Sequence, residues 1–255
     1  MISIVSYNVN GIRAAEKKGL SDWIIKEQPD VLWLQETKAQ AGQINLEKLE
    51  AAGYTTFWHS AVKKGYSGVA LITKLKPERM VIGMQNHKYD AEGRVLRADF
   101  GDITMLGCYF PSGTTGDIRQ TFKMEFLADF QAYVDELKKD RPNLIISGDL
   151  NIAHTEIDIN HPKRHHKTSG FLPEERQWLT EFLKSGFIDS FRFIDDRAEQ
   201  YSWWTYRANA RAKNLGWRID YNLVSESMQE RICGASILQD IIHSDHCPVK
   251  VEIRQ

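Results

Sequence analysis

The chain has 255 residues, 42% of them hydrophobic and 26% charged, and this composition excludes a disordered or fibrous protein. The 33 basic and 34 acidic residues give a formal net charge of −1, so the overall charge neither indicates nor excludes a polyanionic partner. The longest stretch without Lys, Arg, Asp or Glu, residues 103–116, is shorter than the roughly 20 apolar residues that cross a bilayer. We therefore expect a soluble protein with no membrane contact.

The chain alternates β-like runs with amphipathic helices, which predicts a layered α/β fold. The predicted strands are 2–8, 31–35, 55–61, 68–73, 95–100, 103–109, 144–148, 201–206, 218–224 and 249–253. The clearest helix spans 118–139, because Ile118, Phe122, Phe126 and Phe130 recur every four residues. The other predicted helices are 21–27, 46–52 and one from Pro173 to just before Gly186.

No linker, low-complexity tract or fixed-period repeat divides the sequence, which predicts a single domain over residues 1–255. The N-terminal residues have no basic region and run directly into a strand, so we expect neither a signal peptide nor a transit peptide. Cys108, Cys233 and Cys247 lie far apart without metal-like spacing, which favours buried thiols in a reducing compartment. These features predict a cytoplasmic location.

Polar residues follow several apolar strands where each strand stops, at 6–11, 35–37, 147–151, 219–221 and 243–246. Ligands and catalytic groups collect at strand ends, although each segment alone is equally an ordinary turn. Together the segments offer carboxylates, amides and a histidine without a thiolate, the set expected for Mg²⁺ or Mn²⁺ acting on a phosphate ester and a poor set for zinc. His246, paired with Asp220 or Asp245, would be held in one tautomer with a raised pKa.

Five motifs carry a resemblance to a known family: SYNVNGIR at 6–13, LQETK at 34–38, GDLNIAH at 148–154, GWRIDY at 216–221 and SDHCP at 244–248. With these motifs the chain resembles, along its whole length, the exonuclease III family of apurinic/apyrimidinic endonucleases within the endonuclease/exonuclease/phosphatase superfamily. The resemblance implies a four-layer α/β sandwich, in which two mixed sheets pack face to face with helices outside.

The activity implied by this resemblance is Mg²⁺-dependent hydrolysis of DNA on the 5′ side of an abasic site, leaving a 3′ hydroxyl. Mn²⁺ is the expected substitute, and 3′-to-5′ exonuclease and 3′-phosphodiesterase activities often accompany the incision. The implied partner is double-stranded DNA with abasic sites or blocked 3′ ends, and a monomer is expected. The alternative within the same fold is an enzyme that is mainly an exonuclease or 3′-end-processing enzyme, with weak selectivity for abasic sites.

The resemblance also implies roles for individual residues. Glu36 resembles the principal metal ligand, with Asn8 beside it and Asp245 as a further contact. Asp149 resembles the residue that activates the attacking water or protonates the leaving group.

Asn151 resembles the family residue that orients the group matched by Asp149. His246, held by Asp220, resembles the family histidine that contacts the scissile phosphate. Tyr109 resembles the family's phosphate-side tyrosine. Asn10 departs from the family pattern by standing in place of Asp, which leaves one fewer metal ligand and weakens the case for a second metal position. Ser112 stands where the family usually has Asn, so the phosphate or metal contacts of that loop are expected to differ.

Residues 201–219 contain no acidic residue and interleave basic with aromatic side chains, as a nucleic-acid surface requires. The basic residues are Arg207, Arg211, Lys213 and Arg218, and the aromatic ones include Trp203, Trp204 and Trp217. Since neighbours on a strand face opposite ways, one of Trp203 and Trp204 is expected in the core. By the resemblance, Trp203 and Trp217 wall an apolar pocket that accepts a flipped abasic sugar.

A second basic stretch, 161–167, lies in a predicted loop and includes Lys163 and Arg164. A zinc site and a localisation signal are alternatives, but contact with DNA phosphates is favoured. For the protein as a whole, the rivals to a repair nuclease are other phosphodiesterases of the same superfamily and a catalytically silent DNA-binding relative.

Overall fold

The computed structural model describes residues 1–254, which form two six-stranded sheets and seven α-helices. The strands are β1 (Ile2–Asn8), β2 (Val31–Gln35), β3 (Thr55–His59), β4 (Val69–Thr73), β5 (Arg79–Ile82), β6 (Val95–Phe100), β7 (Ile103–Tyr109), β8 (Leu144–Asp149), β9 (Phe187–Asp189), β10 (Asp220–Ser225), β11 (Ile232–Ile237) and β12 (Val249–Ile253). The helices are α1 (Ile12–Glu16), α2 (Leu20–Glu27), α3 (Glu47–Ala51), α4 (His87–Asp90), α5 (Asp117–Asp140), α6 (Pro173–Lys184) and α7 (Ser190–Ile194).

The two sheets have the same arrangement of parallel and antiparallel strands. The first has the order β11-β12-β1-β2-β4-β3, and the second has the order β5-β6-β7-β8-β10-β9. In each sheet the central pair is parallel, β1 with β2 and β7 with β8, and the other neighbours are antiparallel. The carboxyl ends of the four central strands are therefore where both sheets can present side chains to a common site.

The sheets pack face to face over a buried apolar layer. Trp33 of the first sheet and Met105 and Ile145 of the second belong to this layer and are fully buried. Gly107 makes room for the indole of Trp33, since a Cβ at residue 107 would lie 2.0 Å from its ring. Burial of this apolar surface fixes how the two sheets sit relative to each other.

Helices cover the outer faces of both sheets. The outer face of the first sheet buries Ile12 and Ile24 of α1 and α2, and that of the second buries Phe126 and Phe130 of α5 together with residues of α6. The arrangement confirms the predicted four-layer α/β sandwich. No helix within residues 1–254 is both long enough and apolar enough to span a membrane.

Five of the ten predicted strands have the predicted bounds, at 2–8, 31–35, 95–100, 103–109 and 249–253. The prediction of a strand over 201–206 is wrong: Trp203 forms isolated bridges to Trp217 and His246, and no continuous ladder runs through this segment. Helix α5 is found as predicted, but Ile118 is 87% exposed, so the apolar stripe begins one turn later.

The sequence analysis missed β5, β9 and β11, and all three are edge strands of their sheets. Edge strands are short or partly polar because one side of the backbone faces solvent, so they lack the apolar runs that revealed the central strands. β9 has three residues, and β5 and β11 are mostly half-exposed.

Candidate active site

Three polar side chains lie side by side across three neighbouring strands of the second sheet. Tyr109 at the end of β7 is paired in register with Asp149 at the end of β8, and Asp149 is paired with Asp220 at the start of β10. Both aspartates are about 1% exposed. The strand register alone therefore places two buried carboxylates and a phenol next to one another.

The first sheet contributes Asn8 and Glu36 to the same place. The Asn8 side-chain amide donates to Glu36 Oε1 and to Asp149 Oδ2, both at 2.9 Å, and so links the two sheets. Lys38 Nζ lies 2.8 Å from Glu36 Oε2. Burial acts to raise the pKa of Glu36, but the charge of Lys38 and the Asn8 hydrogen bond outweigh it and hold that pKa below its ordinary value.

A buried imidazole lies between the two aspartates. His246 Nδ1 is 2.9 Å from Asp220 Oδ2, and His246 Nε2 faces Asp149 Oδ2 at 3.9 Å. Ser202 Oγ also donates to Asp220 Oδ2, at 2.7 Å. Of the two predicted partners, Asp220 and Asp245, it is therefore Asp220 that pairs with His246. This hydrogen bond fixes the tautomer of the imidazole and directs its Nε2 toward the cavity.

Burial and neighbouring charges shift the pKa values of His246 and Asp149. Burial alone would lower the pKa of His246, but the charge and hydrogen bond of Asp220, with Asp149 and Asp245 nearby, raise it to about 10. The pKa of Asp149 is raised to about 7, first by burial and then by Asp220 and Glu36, while His246 acts in the opposite direction. A charged imidazole and a carboxylate that titrates near neutral pH are the kinds of group that acid–base catalysis uses.

Several residues at this edge have left-handed backbone conformations, which are rare for side chains other than glycine. The φ angles are +50° at Glu36, +52° at Asn151 and +44° at Asn10. Asn151 is held by its N–H, which donates to Asp149 Oδ1 at 2.8 Å, and by its amide, which donates to the Phe110 carbonyl at 3.0 Å. Such conformations persist where surrounding contacts fix them, and they cluster at functional sites.

These groups line a cavity of about 280 Å³ with one polar and one apolar side. The apolar side consists of Trp203, Trp217 and Ile219, and the two indoles meet edge to face with centroids 6.0 Å apart. The polar side carries Glu36, Tyr109, Asp149, Asn151 and His246, with the hydroxyl residues Ser112, Thr114, Thr168 and Ser169 at its rim. A ligand in this cavity would contact flat apolar rings and charged groups at once.

Arg94 holds Tyr109 in its position at the cavity. The guanidinium of Arg94 lies 5.0 Å from the centre of the Tyr109 ring and donates to the Tyr109 carbonyl at 3.0 Å. Burial, with the charges of Glu36 and Asp149, raises the pKa of Tyr109 well above its ordinary value. The phenol is therefore a hydrogen-bond donor at neutral pH.

A metal ion has a suitable set of ligands here. Glu36, Asp149 and His246 each offer one atom within 4.8 Å of the others. Of the predicted ligands, Glu36 belongs to this group, whereas the structure gives Asn8 and Asp245 other partners. Asn8 presents its amide nitrogen to the carboxylates, and the oxygens of Asp245 accept hydrogen bonds from Asn10, Ser244 and Trp203.

The predicted DNA-binding residues divide into two groups. Four of them are exposed to solvent: Arg207 and Lys213 in the first stretch, and Lys163 and Arg164 in the second. Arg211 instead donates to the carbonyls of residues 239, 241 and 244 and stacks on Trp204. These contacts give the Arg211 guanidinium a structural role in place of the predicted one.

The prediction that Arg218 lies on the basic surface is wrong. Arg218 is fully buried and pairs with Asp158 and Asp189, each at 2.7 Å. Trp204 is the buried indole of its pair, at 3% exposure, while Trp203 faces the cavity as expected.

Sequence reasoning missed several contributors to the site. Two of them are Ser202, which fixes Asp220, and Gly170, which lies against Trp217. A Cβ on Gly170 would lie 2.9 Å from the indole, and this glycine has a φ of +96°. The position of Ser169 and Gly170 just before a proline-initiated helix indicated a loop there, but nothing in the sequence indicated that the loop lies against Trp217. His165 also packs against Trp217, with ring centroids 5.0 Å apart.

Comparisons with known proteins agree with this geometry. A sequence profile of the Endonuclease/Exonuclease/phosphatase family matches residues 5–246. The chain is 42% identical to an exodeoxyribonuclease of Bacillus subtilis over 254 residues, covering 99% of each chain. It is 41% identical to the DNA repair nuclease APEX1 of Danio rerio over 251 residues, covering 97% of this chain and 81% of that protein.

Solved structures with the same fold cover the whole chain. An AP endonuclease from Archaeoglobus fulgidus has a TM-score of 0.90 and 25% identity, and a 3′ phosphatase from Neisseria, bound to a product DNA hairpin, has a TM-score of 0.93 and 25% identity. In both comparisons the match covers 100% of each chain.

The Asp220–His246 pair generates a testable pH dependence. Because the folded pKa of His246 is raised from 6.5 to about 10, its charge contributes stability below about pH 6.5, and this is lost as the pH rises toward 10. In metal-free protein, the imidazole of His246, followed by NMR, should remain charged at pH 8. Replacing Asp220 with Asn removes the main opposing charge, so we expect the His246 titration to move to lower pH.

The histidine at position 165 provides an internal control in the same spectra. Burial, with His161 and Arg164 nearby, lowers the pKa of His165 below 6.5, and the Asp220→Asn change should leave that titration unaltered. A wild-type His246 that titrates at or below pH 6.5 would contradict the assigned pairing.

Proposed function

The chain belongs to the endonuclease/exonuclease/phosphatase family, and we propose that it is a DNA-repair nuclease that incises DNA on the 5′ side of an abasic site and leaves a 3′ hydroxyl. One observation carries the proposal: a single cavity has a carboxylate–imidazole cluster on one side and two indole rings on the other. The first side suits a phosphodiester, and the second suits a sugar that has lost its base. Hydrolytic nuclease activity is common to the relatives by name, and the cavity supports the choice of substrate.

The size of the cavity favours an abasic residue. At about 280 Å³ it lies at the lower limit of ligand pockets, which are typically about 300–1,000 Å³. A deoxyribose without a base fits such a space better than an intact nucleotide does. A residue without a base also leaves the helix at a lower free-energy cost, since no stacking or pairing is lost.

Glu36 is the group that would hold a divalent cation, with Asp149 beside it, whereas His246, as an imidazolium, has no free lone pair on Nε2 and donates a hydrogen bond instead. Glu36 carries a lowered pKa and is ionised at neutral pH, and Mg²⁺ binds preferentially to carboxylate oxygens. Mg²⁺, with Mn²⁺ as a substitute, would neutralise charge on the phosphate oxygens when bound. Asn8 orients the two carboxylates from between the sheets, and Asp245 holds Asn10 and Trp203 at the rim.

The remaining groups of the cluster account for the proton transfers and for phosphate binding. Asp149, with its pKa raised to about 7, takes a proton from the attacking water or returns one to the leaving 3′ oxygen. The His246 imidazolium, held by Asp220, donates from Nε2 to a non-bridging phosphate oxygen, as does the Tyr109 phenol. Asn151 fixes Asp149 through its backbone N–H.

DNA approaches from the side on which the exposed basic residues lie. Arg207, Lys213, Lys163 and Arg164 would contact backbone phosphates on either side of the cavity. Trp203 and Trp217 would then receive the extruded sugar. Duplex DNA with abasic sites is accordingly the proposed partner, and the protein needs no second copy to complete this cavity.

A second candidate function is the processing of 3′ ends. The Neisseria 3′ phosphatase matches this chain over its full length, and hydroxyl groups of Ser112, Thr114, Thr168 and Ser169 line the polar rim. Hydroxyls donate readily to a terminal phosphate. A duplex with a 3′-phosphate end distinguishes this activity from incision within a strand.

Single-turnover cleavage tests the substrate assignment directly. A short duplex with one abasic analogue should be cut only 5′ to the lesion, and only with Mg²⁺ or Mn²⁺ present. The matched undamaged duplex should remain intact over the same time. Equal digestion of both duplexes would exclude selection by the cavity and favour the 3′-end enzyme, and no cleavage at any metal concentration would favour a silent DNA-binding protein.

Two isosteric variants distinguish the metal-binding role proposed for Glu36 from the proton-transfer role proposed for Asp149. Glu36→Gln should raise the Mg²⁺ concentration at half-maximal rate, because it removes a ligand charge. Asp149→Asn should lower the single-turnover rate by roughly 100-fold or more even at saturating Mg²⁺, because it removes the proton-transfer group. His246→Ala should lower the rate similarly while DNA affinity stays nearly unchanged.

Titration of the rate against Mg²⁺ distinguishes the two effects. Asn45→Ala provides a control, because Asn45 caps an exposed turn and contacts Glu47. An unchanged Mg²⁺ dependence in Glu36→Gln would remove Glu36 from the metal site.

Trp217 is the residue that the proposed specificity depends on most. Trp217→Ala removes one wall of the cavity, so the ratio of cleavage rates on abasic and intact duplexes should fall by roughly 10-fold or more. A lost methylene in a pocket changes selectivity by ~10–200-fold, and a lost indole is a larger change. Trp58→Ala, on edge strand β3, is the control for loss of an indole away from the cavity. A selectivity ratio that stays constant in Trp217→Ala would contradict the pocket.

A further inference from the structure

We propose that Lys123 is a positioning residue for this reaction, acting through the backbone of Asn151, and that Glu175 neutralises it and holds the adjacent loop at Ser169 and Gly170, which lines the cavity. The inference rests on the proposed function, because Asn151 is assigned there to the group that fixes Asp149. Neither Lys123 nor Glu175 lines the cavity itself.

Lys123 and Glu175 form an ion pair with no exposure to solvent. Lys123 lies on α5 and Glu175 in the first turn of α6, and both side chains are 0% exposed. The ammonium is 2.6 Å from Glu175 Oε1 and 2.8 Å from the carbonyl oxygen of Asn151. A buried cation therefore donates directly to the backbone of a residue in the active site.

The carboxylate of Glu175 is bonded to the neighbouring loop at residues 169–172. Its Oε2 accepts from the backbone N–H groups of Gly170 and Leu172, at 2.6 and 3.0 Å, and its Oε1 accepts from the Ser169 hydroxyl at 3.1 Å. Ser169 and Gly170 line the cavity, and Gly170 lies against the Trp217 ring. The ion pair thus spans from Asn151 to the loop that supports the indole wall.

Stability alone does not account for this pair. The α5–α6 contact is already apolar, through Phe126, Phe130, Leu179 and Phe182. Apolar residues of similar volume are often equal to or better than a buried ion pair for stability, because desolvation offsets the attraction. Such residues could not replace the directional bonds to the Asn151 carbonyl and the Gly170 N–H.

The conformation of Asn151 explains why such a bond matters. Asn151 has a φ of +52°, and a backbone in this region is retained when surrounding contacts fix it. Its N–H is bonded to Asp149 and its carbonyl to Lys123, so the two sides of the residue are held by a catalytic group and by a buried cation. Loss of the Lys123 bond frees the Asn151 backbone and, with it, the hydrogen bond that fixes Asp149.

Two variants separate stability from positioning. Glu175→Gln keeps one oxygen acceptor, for the N–H groups of Gly170 and Leu172, but it turns its NH2 group toward the Lys123 ammonium and leaves that buried cation without its counter-charge. It should lower the midpoint of chemical denaturation, with a smaller loss of kcat than in the double variant, because Lys123 can still donate to Asn151. Lys123→Met/Glu175→Gln removes both charges and the bond to Asn151, so its denaturation midpoint should lie above that of Glu175→Gln, whereas kcat should fall by roughly 10-fold to 100-fold. KM for the abasic duplex should change less than kcat.

The Arg97–Asp99 pair on β6 provides a matched control, because it is also mostly buried and does not line the cavity. Arg97→Met/Asp99→Asn should preserve kcat.

A readout without catalysis separates this inference from the proposed function. Amide hydrogen exchange of metal-free protein should be faster at Asn151 in Lys123→Met/Glu175→Gln than in the wild type, with β1 and β7 unchanged. If the wild type cuts no DNA, the proposed function fails, and the exchange result still decides whether Lys123 fixes Asn151.

Unchanged kcat in the folded Lys123→Met/Glu175→Gln variant would overturn the inference. An equal loss of kcat in the Arg97→Met/Asp99→Asn control would overturn it as well.

Discussion

The structure depends on the burial of more negative charge than an ordinary protein core holds. Asp149 and Asp220 are adjacent across β8 and β10, both are buried, and Glu36 lies beside them. Two like charges 4 Å apart repel by about 4 kcal/mol at an effective dielectric constant of 20. The fold offsets this repulsion with one buried imidazolium, His246, and with the charge of Lys38 at the edge. The same excess of negative charge attracts a divalent cation, so the feature that disfavours folding is also the one that supports catalysis.

Both sheets contribute residues to this charge cluster. The apolar layer around Trp33 sets the two sheets face to face, and their central parallel pairs then end at the same edge. Asn8 of one sheet reaches Asp149 of the other at 2.9 Å, a bond that requires both sheets to be in place. The stability of the apolar layers is large enough to maintain positive φ angles at Glu36 and Asn151, which the local sequence would not adopt by itself.

Much of this fold could be predicted from the sequence, and the limits have physical causes. Central strands such as β1 and β2 are mostly apolar, because they are covered on both faces, so their bounds were predicted correctly. The strand-end position of Asp149 followed from the same pattern, whereas His246 lies in the loop before β12 and follows no strand directly. The residues alone left the partner of His246 open between Asp220 and Asp245, and only the family resemblance indicated Asp220, since the pairing depends on the register of β8 with β10 and on how the loop before β12 folds over it.

Basic residues with internal partners were the least predictable part of the structure. Half-buried Arg211 and the buried Arg218 and Lys123 have no sequence feature that distinguishes them from solvent-exposed basic residues, because their partners lie more than 25 residues away in the chain. Arg211 fixes the carbonyls of the loop that leads to His246, Arg218 pairs with Asp158 and Asp189, and Lys123 bonds to Asn151. The basic residues therefore fall into two classes. Exposed residues such as Arg207 and Lys213 are the ones proposed to contact phosphates, whereas those with internal partners hold the segments around the cavity, on whose shape the proposed selection of a sugar without its base depends.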